Sequence, residues 1–237
     1  MNDLVKYRVE DGVGVITMDD GKANAVSLAL LDGLEAALRQ AIEDDVVLLL
    51  EGRAGMFSAG FHMPTLTAKG PDALSMLTRG FELVEKLLAY PKPMVTANTG
   101  HAIAMGCFLL LAGDHRVGAA GPFKIVANEV AIGLTMPRTA VELCRLRLTA
   151  PAFQRSMLIS APFTPETALA AGHVHELVAP EDVSASALAT AKQLTNLNMP
   201  AFRGTKQRVN GDALRAVRAA VEADSAEFAT LFGQAAG

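Results

Sequence analysis

Val46 to Gly52 reads VVLLLEG, a short, almost unbroken apolar run closed by a glycine. A strand with one face in water alternates polar and apolar residues, so this run predicts a strand covered on both faces. Helical periodicity flanks it. From Ser27 to Asp44 the apolar residues Leu28, Leu31, Leu34, Leu38 and Ile42 recur every three or four positions, with Ser27 placed as an N-cap. Pro71 to Tyr90 returns to the same period, and PKPMVTANTG then gives a second short strand after Pro91 and Pro93. Upstream, LVKYRVEDGVGVITMDD partly alternates and breaks at Asp11 and Gly12, which predicts a β-hairpin. The succession of strand, helix, strand, helix, strand implies parallel strands joined by right-handed crossovers, an α/β layered fold. Beyond Pro151 the text is almost wholly helical, with a helix start at Thr164 and Pro165 and runs of Ala, Leu and Val through to Phe232. We read one main body over residues 1–195 and a helical C-terminal region over 196–237.

Several function classes drop out on composition. Mean hydropathy is +0.28 and 51% of residues are hydrophobic, yet the longest apolar stretch, Ala102 to Gly113, falls short of the roughly 20 residues a bilayer demands. It predicts a buried helix. The opening MNDLVKYRVEDG carries charges where an export signal needs an apolar core, so a cytoplasmic protein is expected. Cys107 and Cys144 stand far apart without CxxC spacing and are expected as core thiols, with neither a disulfide framework nor a metal site. A net charge of −4 supplies no general attraction to nucleic acid or to an anionic membrane, and a small-molecule ligand fits better.

The stretch MFSAGFHM, Met56 to Met63, poses the question of a serine nucleophile. A nucleophile elbow requires G-x-S-x-G, but Met56 stands two residues before Ser58. No HExxH or Walker loop is present, and Gly12 and Gly14 lack the third glycine of a dinucleotide fingerprint, since Thr17 occupies its place. What remains is a turn of small residues, Ser58, Ala59 and Gly60, in which backbone N–H groups can be the working parts. A second such place is NTGHAIAMGCFLLLAGD, where Asn98, Thr99 and Gly100 end a strand and an apolar helix is expected from Ala102. Free N–H groups at a helix start favour an oxygen gaining negative charge, and Ala102, Ala104 and Gly106 would let a substrate approach. An ordinary buried helix packed through small residues is the plainer alternative.

The order and approximate spacing of FSAGFHM, NTGHAIAMGC and FKIVANEVAIGLTMP, together with KANAVS at Lys22 to Ser27, resemble the crotonase superfamily, the enoyl-CoA hydratase and isomerase family. The likeness runs over nearly the whole chain. It implies a spiral of ββα units with a helical C-terminal region that mediates trimerisation, as a homotrimer or a dimer of trimers. It also implies a coenzyme A thioester as ligand, with coenzyme A carried on the substrate and no separate cofactor. Carried over by position, the backbone donors of the oxyanion hole are Phe61 and Met105, and Ser58 is structural. Ala59 and Gly60 shape the first turn. Relatives that hydrate carry two glutamates; here the first position is Phe108 and the second is Glu129, which stands amid Val126, Ala127, Val130 and Ile132. If buried, a carboxylate there is biased toward its neutral form, which suits a base that must also return its proton.

The resemblance further places Lys22 and Ala23 beside the nucleotide part of coenzyme A, and His62 where many relatives carry an aspartate. Lys206 falls where a tail lysine of a neighbouring subunit approaches the phosphate; a solvated helical face with Arg203 and Arg208 is the alternative. His62 and His101 either touch ligand or are simply hydrogen-bonded near turns. His173 and His175, in GHVHELV, are expected as structural residues of a strand. A thioester enolate held by two N–H donors with one carboxylate base predicts double-bond isomerisation. Hydration, with a rearranged helper such as His62, thioester hydrolysis, and a non-catalytic family member are the alternatives.

Overall fold

The hairpin forms as the sequence reads. Strands β1 (Val5–Glu10) and β2 (Val13–Met18) pair antiparallel, and the turn places Asp11 at φ 49° and Gly12 at φ 78°. Positive φ at both central positions matches the right-handed twist of the strands. The computed structural model describes residues 3–233, so the end of the expected C-terminal region, residues 234–237, lies outside the described residues.

From β2 the chain enters helix α1 (Leu28–Glu43), where the Ser27 side chain accepts a hydrogen bond from the Leu30 N–H at 3.2 Å. Strand β3 (Val47–Glu51) follows, buried at every position. Its alternate residues serve different layers. Leu48 and Leu50 face the larger core with Leu30, Leu34 and Phe81, while Val47 and Leu49 face a second core with Val95, Val117, Val183 and Ala187.

Each of the next three main strands is followed by a shorter one that leaves for a second sheet. After β3 comes β4 (Gly55–Ser58), then helices α2 (Met63–Ala68) and α3 (Gly70–Leu88). Strand β5 (Met94–Asn98) is followed by β6 (Gly100–Ile103) and helix α4 (Met105–Leu111). Strand β7 (His115–Ala119) is followed by β8 (Ile125–Val126), a 3-10 turn at Val130–Ile132, and helix α5 (Arg138–Arg147). The long strands build one sheet in the order β1-β2-β3-β5-β7 and the short ones a second in the order β4-β6-β8, both parallel beyond the first hairpin. This is a spiral of ββα units. The main sheet is completed by β9 (Glu176–Val178), which arrives after helices α6 (Ala150–Ile159) and α7 (Pro165–Ala171) and pairs with β7. Helix α8 (Val183–Leu194) covers the second core.

Two sequence expectations shift here. The helix expected from Ala102 begins at Met105, because Gly100–Ile103 pairs as β6 with both β4 and β8. His173 and His175 precede β9 and lie outside it.

The last helix, α9 (Met199–Gly233), lies back across its own chain. Arg218 pairs with Glu85 of α3 at 2.7 Å, and the buried Asp224 carboxylate accepts from the backbone N–H groups of Arg138 and Thr139 at 3.0 and 2.8 Å. Asp224 thereby caps the first turn of α5, whose leading N–H groups have no partner within the helix.

Candidate active site

The short sheet brings the two glycine-containing turns together. Ala59 N–H donates to Ala23 C=O at 2.9 Å, Val26 N–H to Gly60 C=O at 2.8 Å, and His62 N–H to Val26 C=O at 3.1 Å. The bonds on either side of Phe61 therefore both reach Val26, which turns the Phe61 N–H the opposite way. That N–H has no acceptor among the described residues. The N–H of Met105, first residue of α4, has none either.

Glycine is required where these turns touch. A Cβ on Gly60 would lie 2.9 Å from the Ala104 Cβ and 3.4 Å from the Met105 N, and φ there is +89°. A Cβ on Gly106 would lie 2.3 Å from the Ser58 carbonyl oxygen. Gly106 thus lets α4 pack on the Ser58 backbone, where the sequence had suggested room for substrate. Ala104, just before α4, holds φ 49° and ψ −122° with its N–H on Val126 C=O at 2.7 Å. A non-glycine residue in that region stores about 1–3 kcal/mol of strain, a feature that clusters at functional sites.

Ser58 is fully buried. Its hydroxyl donates to Asn24 C=O at 2.7 Å and accepts from Gly60 N–H at 3.2 Å, so its oxygen is committed to holding the turn. Asn24 was missed in the sequence. At φ 49° and fully buried, it donates through Nδ2 to Met18 C=O at 2.9 Å and Phe57 C=O at 3.1 Å, and accepts from Asp20 N–H at 3.0 Å. It sews β2 to β4. The available signal was an asparagine, a residue that tolerates the left-handed region, between the small residues Ala23 and Ala25.

The bond from Ala104 to Val126 also brings the segment after β8 beside α4. Glu129 is 8% exposed there, and its Oε2 has no hydrogen-bond partner among the described residues. Burial pushes its carboxyl up to about 7. Glu129 acts in turn on the buried thiols of Cys107 and Cys144, both raised chiefly by burial. Phe108 is 1% exposed and packs against Phe81 with ring centroids 6.2 Å apart.

A family model described as enoyl-CoA hydratase/isomerase matches residues 8–236. The chain belongs to this family. A probable enoyl-CoA hydratase of Mycolicibacterium paratuberculosis is 32% identical over 94% of this chain and 90% of its own length. Two solved structures of one Mycobacterium tuberculosis protein are also similar. One, named an enoyl-CoA isomerase, is 48% identical at a TM-score of 0.91, covering 96% of this chain and all (100%) of its own. The other, named a probable enoyl-CoA hydratase, is 47% identical at 0.93, covering 98% of this chain and 100% of its own. The ββα spiral is accordingly the crotonase fold.

Within this enoyl-CoA hydratase/isomerase family member, the segment from Ala23 to Val26 runs alongside Ala59 to His62 through backbone hydrogen bonds, with Lys22 next in the chain. Lys22 is exposed, with its carbonyl held by Arg53 Nη1 at 2.9 Å. His62 Nδ1 is 2.9 Å from Thr65 Oγ1. His101 Nδ1 accepts from Lys124 N–H at 3.0 Å, and its ring stands edge-on to Phe123, so it is held within the β6 region. Lys206 lies elsewhere. Its Nζ donates to Asp114 at 2.6 Å beyond the far end of α4, and its side chain is 10% exposed, so it does not belong to a solvated face. Among the described residues no group of three or more His, Cys, Asp or Glu side chains is arranged to hold a metal, and no helix is long and apolar enough to cross a membrane.

Proposed function

We propose that the chain isomerises enoyl-CoA thioesters, moving a double bond from C3–C4 to C2–C3 with Glu129 as sole base. The observation that carries the reading is a buried carboxylate with an unpartnered oxygen, at Glu129, combined with a phenylalanine, Phe108, at the family's other carboxylate position. The Glu129 carboxylate removes the C2 proton of a 3-enoyl thioester. The electron pair moves onto the thioester oxygen, which the N–H groups of Phe61 and Met105 stabilise as it becomes an enolate. Glu129, now a carboxylic acid, returns the same proton at C4 as the C2–C3 double bond forms. Removing one donor of this kind costs about 2.7–4 kcal/mol of transition-state stabilisation. Lys22 and Ala23 flank the first donor and are assigned to the coenzyme A side of the ligand. Lys206, engaged with Asp114, is left out of it.

Hydration is the second reading, favoured by the name of the M. paratuberculosis relative. It needs a water held for attack, and the nearly unexposed Phe108 ring opposes this. Purified protein assayed against 2-enoyl- and 3-enoyl-CoA thioesters, with product analysis, tests the two. Conversion of 3-enoyl-CoA without formation of hydroxyacyl-CoA is expected; the reverse pattern overturns isomerisation in favour of hydration. We further propose assembly as a trimer or dimer of trimers, which light scattering in solution tests.

A further inference from the structure

The side chains of both candidate donor residues converge on one helix. A Cβ on Gly80 of α3 would lie 2.5 Å from Cε1 of the Phe61 ring and 3.4 Å from Met105 Cε, so only the bare backbone of Gly80 admits them. Next to Gly80, the Phe81 ring meets three others. Phe61 stands edge-on at 5.8 Å, Phe108 is tilted at 6.2 Å, and Phe228 of α9 is stacked at 6.0 Å with planes 28° apart. Phe81 and Phe108 are 2% and 1% exposed and locked in the packed core. Phe228 is only partly buried and belongs to the outer helix.

The placement of Phe228 is itself fixed. Asp224, one helical turn earlier and so on the same face, is the residue that caps α5 through Thr139 N–H and Oγ1, both at 2.8 Å. The rings around Phe81 therefore back onto the Phe61 and Met105 side chains, which reach the same turn of α3 at Gly80.

We propose that Phe228, stacked on Phe81 behind Phe61 and Phe108, closes the apolar end of the site and restricts the acyl group to a short chain. The inference rests on the acyl-thioester reading above and names its substrate class. It is independent of whether the reaction is isomerisation or hydration, so unreactive saturated thioesters test it. Butyryl-, octanoyl- and dodecanoyl-CoA are titrated calorimetrically into the wild type, Phe228→Ala and Phe228→Leu, with folding checked by circular dichroism. Wild-type affinity falls as the chain lengthens, and Phe228→Ala raises the dodecanoyl-to-butyryl affinity ratio by about tenfold or more, the scale of discrimination that apolar pockets achieve. Phe228→Leu, which keeps apolar bulk and the helix, shifts the ratio in the same direction by less and carries the test if the alanine variant fails to fold. Tighter dodecanoyl than butyryl binding by the wild type, or an unchanged ratio in the folded variants, overturns the restriction alone. Failure of the wild type to bind any of the thioesters overturns the acyl-thioester reading and this inference together.

Discussion

Gly60 faces Ala104 so closely that a Cβ on the glycine would approach the alanine Cβ to 2.9 Å and the Ile103 carbonyl oxygen to 3.0 Å. This contact sets the spacing between the turn that presents Phe61 and the first turn of α4. Gly60→Ala must push the turns apart, and its φ of +89° adds strain. We expect turnover to fall about 10²–10³-fold, the loss typical of one removed oxyanion donor. Gly21→Ala is the control, since Gly21 also has positive φ (+73°) but nothing within 4 Å of a Cβ. Equal activity in the two folded variants would detach the Gly60 contact from catalysis.

Ser58→Ala separates a nucleophile from a brace. The hydroxyl bonds Asn24 C=O and Gly60 N–H in a fully buried setting, and its removal leaves both groups unpartnered. Such a loss costs about 1–3 kcal/mol. Urea denaturation should show that destabilisation, with activity reduced but retained and no acyl-serine adduct by mass spectrometry. A stable, wholly inactive variant would return Ser58 to the chemistry.

These effects mark where the sequence was legible. Helix α1 was readable because it buries one face at a fixed period, and strand β3 because it is a continuous apolar run buried on both faces. The β4, β6 and β8 strands span so few residues that no period develops, and their partners lie far apart in the chain, so β6 was read as the start of a helix. The ββα spiral and the Phe61, Met105 and Glu129 assignments came from resemblance to a family, never from periodicity. Asn24 went unnoticed because its role depends on carbonyls of β2 and β4 that meet only in the fold. The solvated face offered for Lys206 failed for the same reason: Asp114, its ion-pair partner, is distant in sequence.

If Glu129 is the base, as proposed, it couples stability to activity. Its carboxyl is raised from 4.5 to about 7 by burial, so between those values the folded state binds more protons than the unfolded chain. Stability therefore falls as pH rises through this window, and above it the full cost of a buried charge is present. Glu129→Gln should abolish proton exchange at C2 while raising stability by about 2–3 kcal/mol at pH 8 and by almost nothing at pH 4. In the wild type, kcat/KM should climb with pH around an inflection near 7, as the base form accumulates. Full exchange by a folded Glu129→Gln would remove Glu129 as the base.

Acid should act through two other groups, His173 and His175. His173 is fully buried against the Phe163 ring at 4.6 Å, and burial, helped by Arg116, pulls it from 6.5 down to about 3. His175, bonded to Arg116 Nη2 at 2.9 Å, is likewise pulled down to about 4, chiefly by burial. Below 6.5 the unfolded chain takes up protons that the folded state refuses, so stability is lost as pH falls toward these values. His173 alone contributes about 2 kcal/mol of that loss between pH 7 and pH 5. The melting temperature of His173→Phe should fall less between pH 7 and pH 5 than that of the wild type, because the variant has no such proton to bind. A parallel acid dependence in the two proteins would assign the loss to other groups.

On the proposed isomerisation, Phe108 is the residue that separates the two reactions. Its ring is 1% exposed and packed on Phe81, one turn into α4 from Met105, and under that proposal it makes its wall of the site apolar. Phe108→Glu restores a carboxylate at the family's other acid position, where it can hold a water for attack on a 2-enoyl thioester. The exchange also deletes a packed ring, at about 3–5 kcal/mol, and buries an acidic group whose pKa must rise in response. Phe108→Ala separates these effects, since it opens the same space without the carboxylate. We expect wild type and Phe108→Ala to hydrate crotonyl-CoA weakly, and a folded Phe108→Glu to hydrate it faster while its isomerisation of 3-enoyl-CoA declines. Gain of hydration in Phe108→Ala as well would mean that space alone limits water. Vigorous hydration by the wild type would show that one carboxylate suffices, and the hydratase reading would then stand.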